Sequence, residues 1–132
     1  MAVFFRFLTL LALATLLATP LAGCDRTATP SFKAIDITGA EYAQGFDLPD
    51  ASGQRRTLAD LKGKVTLVFF GFTHCPDVCP TTLLEISEVK KALGADGERV
   101  QGVFVTVDPE RDTPEVLKAY VDNFGAGFVA LR

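Results

Sequence analysis

The sequence predicts an α/β fold with parallel central strands, and three observations carry that prediction. Two stretches, "VTLVFFGF" and "VQGVFVTVD", are rich in β-branched and aromatic residues, the pattern of strands covered on both faces. Each is followed by a segment with helix periodicity or helix caps. Upstream of both, a shorter segment alternates apolar and polar residues around a turn signal, the mark of a hairpin.

Taken in order, the chain opens with a segment of a different kind. Residues 1–23, "MAVFFRFLTLLALATLLATPLAG", carry Arg6 as their only charge, and the apolar run 7–18 is short for a bilayer span. A basic residue, a short apolar run and small residues before a cut describe a secretory signal peptide. Its end, Leu21-Ala22-Gly23-Cys24, resembles the lipobox of bacterial lipoproteins, in which the signal is cut before a cysteine that is then lipid-modified. Residues 24–33 read as a polar tether, and residues 34–132 as the domain.

Within "GFDLPDASGQRRTLADLKGK", Phe46 and Leu48 alternate with polar neighbours and "PDASG" supplies the turn, so a small β-hairpin is expected, with a helical turn at Leu58 to Leu61. The first parallel strand is expected over Val65 to Phe72. The following helix runs from Thr81 to Leu93, with Leu83, Ile86, Val89 and Leu93 on one face and Gly94 past its end. The second strand is expected over Val100 to Asp108. The second helix spans residues 113–124, with Thr113 or Asp112 as cap, Pro114 in the first turn and Gly125 after it. "GFVALR" begins another short strand. Strand, helix, strand, helix implies a right-handed parallel crossover. Two strands and a hairpin leave one sheet edge and part of a face uncovered, so further C-terminal strands and a helix are expected to be missing.

The 132 residues carry a net charge of −3 and 48% hydrophobic residues, which suits one globular domain and gives no basic footprint for nucleic acid. With Cys24 assigned to lipid, the remaining thiols are Cys75 and Cys79 in "FGFTHCPDVCPTTL", and an export signal places them where disulfides persist. Each precedes a proline, which disfavours helical backbone and predicts a loop, with Cys79 at the cap of the next helix. A helix N-terminus favours a thiolate. Three uses of the pair compete: a structural disulfide, closing a loop too short to add much stability; a redox pair, with one residue more than the usual spacing; and a metal site, where two soft thiolates suit Cu(I). Zinc finds too few ligands here. His74, the single histidine, adjoins Cys75, but neighbouring side chains in an extended segment point to opposite faces, so its expected role is to tune the thiolate. Asp108 ends the second strand and is expected at the same sheet edge, while helix capping accounts for Asp112.

"KVTLVFFGFTHCPDVCPTTL" together with "VFVTVDPERDTPEVLKAY", and "DITGAEYAQGFDLPDASG" before them, resembles the Sco/SenC family of copper proteins over residues 34–131. The resemblance implies a thioredoxin-like fold, a lipid-anchored protein on the outer (periplasmic) face of the bacterial inner membrane, and Cu(I) held by Cys75 and Cys79. It implies a partner, the copper-site subunit of cytochrome c oxidase, whose binuclear site receives copper or has its cysteines reduced. It also implies a third ligand, a histidine in a loop beyond the second helix; the sequence to Arg132 has no residue that matches it. The alternative activity is a thiol-disulfide reductase acting on a partner's cysteines.

Overall fold

The computed structural model describes residues 31–125 and 127–132. The signal segment and Cys24 lie outside the described residues. Two compact units divide at Thr38, and Gly39–Arg132 holds every strand and helix described here. In the first unit, residues 31–38 are exposed, and the Asp36 carboxylate accepts from the Thr38 amide and hydroxyl. No helix among the described residues is long and apolar enough to cross a membrane.

The second unit begins with the expected hairpin, β1 (Asp47–Pro49) against antiparallel β2 (Arg55–Thr57). Asp50 organises its turn, accepting from Ser52 N at 2.8 Å, Ser52 Oγ at 2.6 Å and Gln54 N at 3.1 Å. These are the local bonds that make Asp a turn residue. A 3-10 turn, Leu58–Leu61, follows, its Asp60 reaching back to the Thr57 amide.

Strand β3 (Val65–Gly71), helix α1 (Val78–Ala92), strand β4 (Val100–Thr106), helix α2 (Pro114–Asp122) and strand β5 (Phe128–Leu131) complete the unit. The sheet is parallel, ordered β3-β4-β5, with Phe70 opposite Val105 and Phe104 opposite Ala130. The hairpin joins it at the β5 side, where Asp50 bridges Leu131 and Arg132 N donates to Pro49 O at 3.0 Å.

Every residue of β4 is buried. On one face Phe104 packs with Leu83, Leu117, Val121 and Ala130; on the other Val103, Val105 and Leu131 meet Phe46, Leu48 and Leu61 of the hairpin segment. An apolar cavity of about 190 Å³ remains between Phe46, Leu48 and Leu58 and the exposed Val68 and Phe70 of β3.

Three local expectations need correction. Helix α1 starts at Val78, not at Thr81, so Cys79 and Pro80 stand in its first turn. The proline costs nothing there, because the first amides of a helix have no intrahelical partner, and the bias against helix before proline is overridden. The inward stripe of α1 is Cys79, Leu83 and Ser87, while Val89 and Leu93 are exposed. The cap of α2 is Thr113, whose side chain accepts from Val116 N at 3.4 Å, so capping does not explain Asp112.

Candidate functional site

Strand β3 delivers the cysteine loop to the carboxyl edge of the sheet, where open α/β folds place their chemistry. The loop leaves β3 at Gly71. A Cβ there would lie 2.9 Å from Cys79 Sγ and 2.9 Å from the Phe104 ring. Glycine is therefore what lets the Cys79 sulfur tuck beneath the strand end. The Cys75 amide donates to Phe72 O at 3.2 Å, which turns the loop toward α1.

The two thiols are free and differ in setting: Cys75 is half-buried in the loop, and Cys79 is 4% exposed in the first turn of α1. The Cys79 amide donates to Cys75 Sγ at 3.3 Å. Hydrogen bonds from the Cys79 thiol and amide, then from the Asp77 and Val78 amides, hold the Cys75 thiol below its ordinary range. This is the helix N-terminus acting on a thiolate. Burial pushes the Cys79 thiol up, helped by its bond to Cys75 and by the charges of Cys75 and Asp112. The pair is thus one half-buried, more easily ionised sulfur beside one buried, reluctant sulfur.

The acid whose charge reaches the Cys79 sulfur is Asp112. It is fully buried, accepting from Thr73 Oγ1 at 2.6 Å, Thr73 N at 3.1 Å and Thr106 Oγ1 at 2.6 Å. Asp108 does lie past the end of β4, but its carboxylate pairs with Arg111, and its amide donates to Thr106 Oγ1 at 3.0 Å. His74 is exposed, with Nδ1 3.2 Å from Thr73 Oγ1 and 4.0 Å from Asp112 Oδ1. The Thr73 hydroxyl has one proton, and it goes to Asp112, so toward His74 it is the acceptor. Among the described residues no three His, Cys, Asp or Glu side chains cluster as a metal cage. Cys75 and Cys79 are the soft donors at this edge, and that donor chemistry fits Cu(I).

Sequence reasoning missed Thr73, Thr106, Gly71 and Tyr120. Tyr120 packs edge-on against Phe124 and 5.5 Å from Phe104, and its buried hydroxyl has no hydrogen-bond partner among the described residues. Burial, then the nearby Cys79, Cys75 and Asp112 charges, raise its phenol to about 12.

A family model described as SCO1/SenC matches residues 36–132. The chain belongs to the SCO1/SenC family. An SCO2-like protein of Rickettsia prowazekii is 45% identical over 86 residues, 65% of this chain and 42% of that one. The solved structure of Bradyrhizobium japonicum ScoI with copper bound is 53% identical, with a TM-score of 0.61 over 66% of this chain and 55% of that one. A SCO1/SenC family lipoprotein from Bacillus anthracis is 33% identical, with a TM-score of 0.59 over 67% of this chain and 54% of that one. The fold is accordingly the thioredoxin-like α/β fold of Sco proteins. The chain spans about half the length of these relatives.

Proposed function

We propose that this Sco chain is a copper-binding protein that carries Cu(I) on Cys75 and Cys79. The observation that carries the reading is the pair itself: two free thiols joined across a loop and a helix start, at the edge of the sheet. Cu(I) is cargo here, and two thiolates supply the soft ligands it prefers. Kinship with copper-bound ScoI supports the cargo, and in this reading the recipient is the copper-site subunit of cytochrome c oxidase. In a competition titration, Cys75→Ser and Cys79→Ser should each remove most Cu(I) affinity. Parent-like affinity in either variant would end the two-sulfur reading.

The unequal acidity of the two thiols favours a second reading, a thiol-disulfide reductase. The Cys75 thiolate would attack a partner's disulfide and form a mixed disulfide, releasing one partner thiolate. Cys79 would then attack Cys75 Sγ, releasing the second and leaving a Cys75–Cys79 disulfide. Two electrons pass to the partner, and an external thiol reductant must restore the pair. Insulin reduction measured beside the copper titration separates the two activities.

Cys24 supplies the anchor in this reading. The Leu21–Cys24 segment and the Bacillus anthracis lipoprotein support attachment by lipid to the outer face of the inner membrane. Cys24→Ala should leave an uncut precursor in which mass spectrometry finds no lipid. A mature start elsewhere would remove the anchor.

A further inference from the structure

We propose that Asp112 is the positioning residue of the sulfur site: through Thr73 it holds the segment that leads into Cys75, and through Thr106 it pins that segment to the end of β4. The inference rests on the two-sulfur reading only for its copper arm.

A carboxylate taken out of water is costly unless charge-assisted hydrogen bonds replace its hydration. Asp112 is fully buried, and its side-chain hydrogen bonds among the described residues go to two threonines, Thr106 at the end of β4 and Thr73 in the loop after β3. Thr73 lies two residues beyond β3 and two before Cys75, outside the ladder that fixes β3. It gives Asp112 both its hydroxyl and its amide, at 2.6 and 3.1 Å. The Thr106 hydroxyl donates to Oδ2, the oxygen that also accepts the Thr73 amide at 3.1 Å, and accepts from Asp108 N, so the start of the β4–α2 loop joins the same knot. Two loops separated by a whole helix and strand are thus tied at one point, immediately upstream of the half-buried Cys75 thiol. Thr113 takes the cap of α2, so that duty does not occupy the carboxylate.

Loosening this knot should lower the effective concentration of Cys75 at Cys79. A disulfide closed at lower effective concentration is easier to reduce, so its potential rises by about 30 mV for each tenfold loss. Partners that orient metal ligands from outside typically change metal affinity by about 10- to 100-fold.

The test uses the full chain with Thr73→Val, which keeps the volume and removes the hydroxyl, Thr73→Ser, which restores it, and Asp112→Asn. Three quantities are read: amide exchange at residues 73–75, the reduction potential of the Cys75–Cys79 couple, and Cu(I) affinity. Thr73→Val should exchange about tenfold faster, show a less negative potential and bind Cu(I) about 10- to 100-fold more weakly. Thr73→Ser should match the parent. If Thr73→Val melts lower but keeps the parent's exchange and potential, Asp112 merely stabilises the fold and the inference is overturned. Exchange and potential need no copper. A parent without Cu(I) affinity would therefore sink the copper reading and still leave the knot decided. Should Asp112→Asn fail to fold, the threonine pair decides alone.

Discussion

Strands β3 and β4 lie side by side, run parallel and read alike in sequence, yet they end in different surroundings. All of β4 is buried, whereas β3 buries only Gly71 and leaves Val68 42% and Phe70 65% exposed. Strand β4 has β3 on one edge and β5 on the other, with helices over one face and the hairpin segment over the other. Strand β3 has one partner among the described residues, and the hairpin stops short of covering it. An apolar run therefore reports a capacity for burial, and place in the sheet decides how much of it is used. The thiols repeat the contrast at the sheet edge, with Cys79 buried and Cys75 half-buried.

The sharpest way to break the comparison is Phe104→Ala. That ring is fully buried, 6.1 Å from Phe69 and 5.5 Å from Tyr120. Its removal should cost about 3–5 kcal/mol in urea unfolding, and a loss under about 1 kcal/mol would mean the two strands are not unlike after all. Next comes the thiol pair, followed by alkylation against pH. The thiolate is the reacting species, so a lowered pKa moves the rise in rate to lower pH and a raised one to higher pH. Cys75 should react first, below the pH of an ordinary cysteine, and Cys79 only above it. The reverse order would undo the assignment of half-buried and buried sulfur. The smallest effect belongs to Phe70→Ala, expected below about 1 kcal/mol because the ring is largely wet already. A cost equal to that of Phe104 would show the outer face of β3 covered in solution.

Local signals were legible in the sequence. The hairpin turn at Asp50, the Thr113 cap and Pro114 at the start of α2 each depend on residues a few positions apart. The cysteine pair was legible for the same reason. What escaped was set by residues distant in sequence. The rotation of α1 follows from Cys79 lodging under Gly71, which no periodicity in the helix announces. The start of α1 was misplaced because the rule for residues before proline is a bias, and unpaired amides at a helix start leave room for exceptions. Asp112 read as a cap because its true partners, Thr73 and Thr106, belong to other elements. Its neighbour Asp108 looked the better candidate, at a strand end, but pairs locally with Arg111.

The bridge between Asp50 and Leu131 has a consequence for the order of assembly. The β3–α1–β4 unit, which carries both sulfurs, closes a loop of one helix, while docking of the hairpin joins positions nearly a whole unit apart. Loop closure grows costlier with length, and distant pairings slow the search. The sulfur-bearing unit is thus cheaper in entropy to bring together than the hairpin dock.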